Sequence, residues 1–425
     1  MWMTQLFLFC LSMKHENLKG LFGVPVIVAA LGYFVDIYDL LLFSIVRKSS
    51  LTSMGVADDQ LLVQGEFLLQ VQMTGLLIGG LIWGIMGDKK GRLSVLFGSI
   101  LLYSLANIAN GFATTVDQYA MLRFIAGIGL AGELGAGITL VAEVLPTSLR
   151  GYGTTLVAGV GLFGAVLANI VAKKFDWHIA YFIGGGLGLL LLVARVRVFE
   201  SGVFLKVKKQ TVERGNFFQL FNNKIRFKKF MGSIFIGLPI WFTIGILITF
   251  SPEFAKALHI TGTISAGDAV MYSYIGLAVG DLLSGYISQV MQSRKKVVLL
   301  YIFMTLLMMS IYLFTPGRSV FFFYVTCFLV GLGIGYWALF VTIAAEQFGT
   351  NLRSTVATSV PNFIRGTVVP LTLAFRYFRE QLGGGDSAVI YGALIVGVFT
   401  IVVAIIALGA VQETFGRDMN FVEEN

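Results

Sequence analysis

Asp36, Asp39, Arg123, Glu133, Asp281 and Arg365 are ionisable residues that fall well within long apolar stretches of the sequence. A charge at the centre of a membrane-crossing helix costs about 2.5–3.5 kcal/mol on insertion scales, so each needs a reason. Asp36 and Asp39 are three residues apart, hence on one helix face, and they flank Tyr38. Two carboxylates this close compete to stay ionised, and such a pair can load and release a proton. Arg123 is the expected partner. With its guanidinium beside Asp39 the carboxylate stays charged; when it moves off, the proton binds. The alternative is a static buried ion pair that pins two helices together. Glu133 either joins the relay or pairs with Arg123. Arg365 can receive a carboxylate bidentately, or it pairs with Asp281 or a backbone carbonyl. Asp281 has no counterpart in the first half of the chain, where Gly80 or Leu81 stands.

These residues need helices in lipid to hold them. Of the 425 residues only 13% are charged, 56% are hydrophobic and 50 are Gly. A soluble chain carries about 25% charge, so an ordinary soluble enzyme is excluded, as are disorder and a disulfide scaffold. Cys10 and Cys327 form no framework, and His15, His178 and His259 lie far apart, so neither a metal nor another cofactor is expected. About twelve segments reach the roughly 20 apolar residues that a crossing needs. They run over 22–46, 66–87, 93–113, 118–145, 151–173, 177–195, 230–251, 264–291, 296–315, 318–346, 353–378 and 386–412. Their length and lack of alternation read as helices, not barrel strands. The basic stretch 196–229 divides them equally and should be a cytoplasmic linker. Lys89, Lys90, Arg92, Arg150, Arg294, Lys295, Lys296 and Arg353 then fall on the same side, which puts both termini in the cytoplasm. The net charge of +8 reflects topology and anionic lipid, not nucleic acid. Residues 1–13 are apolar but too short to span.

The two halves echo each other. Gly84 and Gly285 precede basic hairpins at an offset of 201; Gly127 and Gly129 match Gly331 and Gly333 at 204; Glu143 and Arg150 match Glu346 and Arg353 at 203. Duplicated membrane halves are the build of secondary transporters, with the substrate site at the midplane between them. The Gly127-Ile-Gly129-Leu-Ala-Gly132 run follows no strand, so it is a helix-packing surface and not a nucleotide loop. Trp241, Tyr272, Tyr274, Tyr336 and Trp337 are candidate cavity walls, Asn362 a hydrogen-bond donor to substrate, though most membrane aromatics only pack. Asp88, Arg92, Glu143, Arg150, Glu346 and Arg353 read as a cytoplasmic gate of ion pairs that holds an outward-facing state.

The turn Gly84-Ile-Met-Gly-Asp88-Lys89-Lys90-Gly91-Arg92 resembles the signature between spans two and three of the major facilitator superfamily, with Leu93 where another base is usual. The copy from Gly285 to Lys295 is degenerate and lacks the Asp. Arg123-x-x-x-Gly127-x-Gly129, Gly132-Glu133 and Glu143-x-x-Pro146-x-x-x-Arg150-Gly151 are similar to the sugar-porter and metabolite:H⁺ symporter branches. Val35-Asp36-Ile37-Tyr38-Asp39 is similar to the first-span stretch of the latter, with Ile37 where that family has Trp. The fifth span lacks the Gly-Pro pair of drug antiporters.

The resemblance implies an all-α polytopic membrane protein of twelve helices. Two pseudo-symmetric six-helix bundles, 22–195 and 230–412, follow an N-terminal segment 1–21 and precede a tail 413–425. It implies a monomeric inner-membrane importer with H⁺ and a small polar metabolite as partners, an organic acid or zwitterion. Asp36, Asp39, Arg123 and Glu133 would couple the proton. Arg365, Asn362, Tyr38, Trp241, Tyr336, Trp337 and Asp281 would meet the substrate. An uncoupled facilitator, an exporter, a cationic substrate and a nutrient sensor remain open. An enzyme is disfavoured, for no HExxH or GxSxG is present.

Overall fold

The computed structural model describes residues 22–145, 147–195, 217–349 and 352–416, and they are almost wholly helical. Eleven helical stretches among them are long and apolar enough to cross a bilayer. The remaining expected span is a pair of helices, Arg353–Gly366 and Val368–Gln381, joined at Thr367. It carries Arg353, Arg365, Arg376 and Arg379, which makes it the most polar crossing. The fold is thus the helical membrane bundle that the hydropathy pattern requires.

Several spans are interrupted. The fourth breaks between Val116–Leu130 and Glu133–Val144, the fifth between Thr147–Leu162 and Gly164–Lys174, the tenth between Val320–Gly333 and Trp337–Glu346. The seventh starts at Lys224, earlier than 230, and ends in a π-helical turn at Thr243–Ile248. Non-helical backbone at membrane depth survives only when buried in protein or beside a cavity, so these breaks point to the interior.

The repeat is visible in packing. Gly75 and Gly127 bring spans two and four into backbone contact at Phe124 and Gln72; Gly276 and Gly331 do the same for spans eight and ten at Phe328 and Ser273. Small residues permit this approach in lipid, where no hydrophobic force drives helices together.

The halves meet at both ends of the bundle. At the linker end, Gly80 lies against Asn362, Gly135 against Thr358, and Asn362 Nδ2 donates to the Ala131 carbonyl at 2.7 Å. At the opposite end, Arg47 pairs with Glu253 at 2.7 Å, Ser44 bonds Thr249 at 3.1 Å, and Gln70 donates to Thr372 at 2.9 Å. Glu66, fully buried, receives Arg376 at 2.7 Å and Arg379 at 3.0 Å, while Lys173 and Asn169 hold Asp268. Among the described residues, the two halves thus touch on both sides of the centre.

Residues after the last span clasp the linker end. Partial burial opposes ionisation of Glu413, but the Ser293 hydroxyl and the N–H groups of Phe415, Arg294 and Lys295 outweigh it and hold its pKa down to about 2. Lys295 Nζ adds a bond to the Val411 carbonyl at 2.6 Å. A carboxylate held low stabilises the fold above its ordinary pKa and loses that effect as pH falls through the folded value. Glu413→Gln should therefore lower stability by about 1 kcal/mol at pH 7, a figure kept small because the group is exposed. Thermal unfolding in detergent should show the gap narrowing from pH 4.5 towards 2; identical midpoints at pH 7 would mean that the clasp contributes nothing.

Candidate functional site

A cavity lies at the centre of the bundle, between these two sets of contacts. It is small, about 10 Å³, and is lined by Tyr33, Ile37, Leu162, Trp241, Ile244, Tyr274, Leu277, Trp337 and Arg365. The first, fifth, seventh, eighth, tenth and eleventh spans each contribute. Tyr33 and Ile37 are one turn apart on the first span, which puts both on the inner face. The π-helical turn brings Ile244 to the wall, and Thr249 N–H closes on the Ile244 carbonyl at 3.2 Å, five residues back. Such turns recur at functional sites.

Arg365 is the one cation among the lining residues. It is 1% exposed, with its guanidinium 5.5 Å from the Trp241 ring centroid and 5.9 Å from that of Trp337. The two indoles stand edge to face at 6.2 Å. Cation–π contact of this kind steadies a desolvated guanidinium by about 2 kcal/mol. Nη1 reaches Asn362 Oδ1 at 3.4 Å, and Nη2 stands 3.6 Å from Asp36 Oδ2. That last separation is long for a hydrogen bond. Arg365 therefore pairs with Asp36, not with Asp281 or a carbonyl, and keeps Nε and Nη2 without hydrogen bonds.

Asp36 and Asp39 are both fully buried, and none of their four oxygens has a hydrogen bond. A buried carboxylate without donors is costly to keep ionised. Asp39 shares its surroundings with Arg123 and Asn107. Arg123 makes no ion pair with it, however: the guanidinium bonds Asn107 and, at 3.3 Å, Asn110, and lies over the Tyr181 ring at 4.6 Å. Nη1 of Arg123 has no partner. The third span thus interposes two asparagines between the expected partners, which sequence spacing cannot show.

Glu133 is paired elsewhere. Arg195, from the end of the sixth span, takes both of its oxygens and also donates to the Leu96 carbonyl at 2.8 Å. The expected Glu133–Arg123 pair does not form, because Glu133 starts the second half of the broken fourth span, beyond the turn that carries Arg123.

Of the remaining expected substrate contacts, Trp241 and Trp337 line the cavity. Tyr38 and Tyr336 do not: their hydroxyls donate to the Ala180 carbonyl at 2.8 Å and the Ile236 carbonyl at 3.0 Å. Asn362 spans the two halves. Asp281 accepts from Ala338 N–H at 3.0 Å. Tyr33 was legible only as one turn from Ile37, and Arg195 carried no signal beyond its place at a span end.

At the linker end, Glu346 pairs with Arg294 at 2.8 Å, because Arg294 opens the ninth span beside it. Arg92 and Arg353 donate to the Gly87 and Phe348 carbonyls at 2.8 and 3.3 Å. The side chains of Asp88, Glu143 and Arg150 fall outside the described residues. Among the described residues, the ion pairs that join the halves at a rim sit at the opposite end.

A bundle of broken, duplicated spans around a small central cavity is the build of a membrane transporter, not of an enzyme. The sequence pattern of the Major Facilitator Superfamily matches residues 29–367, and the chain belongs to that family. It is 25% identical to the niacin transporter NiaP of Acinetobacter baylyi, over 80% of this chain and 84% of that one. It is 24% identical to a gentisate transporter of Corynebacterium glutamicum, over 89% and 87%. In structure it is similar to a D-xylose-proton symporter, with a TM-score of 0.68, 17% identity and coverage of 93% and 99%. It is also similar to the partially occluded inward-open xylose transporter XylE of E. coli, with a TM-score of 0.71, 15% identity and coverage of 93% and 99%.

Proposed function

We propose that the protein imports a small organic carboxylate together with H⁺ across the inner membrane by alternating access. One observation carries this reading: Arg365 is held between two indoles on the wall of the central cavity, with Asp36 as a loose partner at 3.6 Å. An entering carboxylate and Asp36 compete for the same guanidinium. A proton on Asp36 ends that competition, so substrate and proton bind together. When the cavity opens to the cytoplasm, Asp36 loses the proton and displaces the substrate. Asp39 beside Arg123 is the second proton site, in reach of the first along one helix face. Trp241, Trp337, Tyr33 and Tyr274 suit a planar ring on the carboxylate. Niacin and gentisate, which the names of two relatives give as cargo, are both of that chemistry.

The test is internal pH in proteoliposomes that enclose a pH-sensitive dye. Organic acids, amino acids, sugars and amines are added outside in turn. Carboxylates should acidify the lumen with wild type, and Asp39→Asn and Asp36→Asn should abolish that signal. A labelled compound that equilibrates without any proton movement would make the protein a facilitator and overturn the roles of both aspartates. Acidification with amines alone would point to a cationic substrate.

A further inference from the structure

Asp281 is a carboxylate inside the eighth span that does not line the cavity. Its place follows from a backbone contact. Gly335, in the break of the tenth span, lies directly on Gly280, where any Cβ would collide with the Gly280 backbone. Tyr301 holds Gly280 from the other side, its hydroxyl donating to the Gly280 carbonyl at 3.0 Å. The next residue therefore reaches the start of the helix Trp337–Glu346.

That helix start lacks a cap of its own. Its first residues have no intrahelical acceptor for their N–H groups, and the preceding Tyr336 provides no side-chain cap. Asp281 Oδ1 accepts from Ala338 N–H at 3.0 Å, and the Trp337 amide faces the same carboxylate. Negative charge suits the positive end of a helix. The cap is thus supplied from another span. It acts one residue from the indole that Arg365 rests against. The first half of the chain has Gly80 at the corresponding place, packed on Asn362, and no such carboxylate.

We propose that Asp281 is a positioning residue: it caps the second half of the tenth span, fixes the Trp337 indole against Arg365, and so sets the affinity of the cavity without touching the substrate. The link to affinity rests on the cavity being the substrate site.

Two variants and two readouts test it. Asp281→Asn retains an oxygen that can accept from Ala338 N–H; Asp281→Ala retains none. Each is purified with and without Trp337→Phe, so that the fluorescence of Trp337 is obtained by difference. Asp281→Ala should shift that emission to the red and raise its quenching by acrylamide, while Asp281→Asn matches wild type. This readout holds whatever the cavity binds. In uptake of the carboxylate found active in proteoliposomes, Asp281→Ala should raise KM at least ~10-fold, with Vmax within about 3-fold, as expected for a misplaced binding group. Asp281→Asn should stay within about 2-fold of wild-type KM. Unchanged Trp337 emission in Asp281→Ala overturns the proposal. So does an Asp281→Asn protein as impaired as Asp281→Ala, since the charge and not the cap would then matter. A shifted emission with unchanged KM would uphold the cap and overturn the assignment of the cavity.

Discussion

Lysine at position 365 should reduce uptake of carboxylate substrates about 100-fold, mainly through KM. Truncating one partner of a buried, hydrogen-bonded charge pair costs about 2–5 kcal/mol; lysine keeps the charge, so the lower part of that range applies, and about 2.8 kcal/mol is two orders of magnitude. Lysine keeps the charge but loses the planar fork and the stacking between indoles. Those are the features the cavity supplies, with Trp241 and Trp337 at 5.5 and 5.9 Å from the guanidinium carbon. The ammonium would also find Asp36 an easier partner than the substrate, since a point charge is not held in place by ring faces. Initial rates in proteoliposomes over a range of substrate concentration decide the matter. If uptake of every anionic candidate survives Arg365→Lys, the anion site is not there.

Replacing Glu66 should open the end of the bundle opposite the linker. Glu66 is fully buried, and Arg376 and Arg379 converge on it from the other half of the chain. Removing one partner of a buried pair costs up to about 3–5 kcal/mol because it strands the other charge. Arg376 is 27% exposed, so water recovers part of that. A net penalty near 2 kcal/mol on the closed state means a roughly 30-fold change in its population. The variant Glu66→Gln keeps the shape while removing the charge. A cysteine at Ile37, on the cavity wall, reports the change through its reaction with an impermeant thiol reagent in vesicles. Glu66→Gln should speed labelling from one side of the membrane only. Equal labelling rates with and without Glu66 would show that the cluster does not hold this end shut. Arg47–Glu253 and Lys173–Asp268 lie at the same end, and each is expected to act in the same direction with a smaller effect.

Hydropathy was enough to place the spans, because a bilayer demands long apolar helices wherever the chain crosses. It blurred the breaks. The fourth and tenth spans read as single segments, since a glycine-rich interruption is still apolar, yet the breaks at Gly132 and Gly335 are what turn Glu133 and Trp337 to their places. Six intramembrane charges were legible, because lipid makes a charge well inside a span conspicuous; the buried Arg47, Glu66 and Arg195, at span ends, were not. Asp36 and Arg365 could be flagged one by one, but their meeting across 328 intervening positions could not.

The amino-acid sequence alone determined the kind of solvent, the helical class, the duplication and part of the list of buried charges. These depend on local composition and on spacing along one helix. Tertiary structure alone decided the partners. Glu133 went to Arg195 and not Arg123, Arg365 to Asp36 and not Asp281, and Glu346 to Arg294. Each choice follows from which helices lie side by side, and a charge buried in lipid pairs with whatever opposite charge that packing brings within reach.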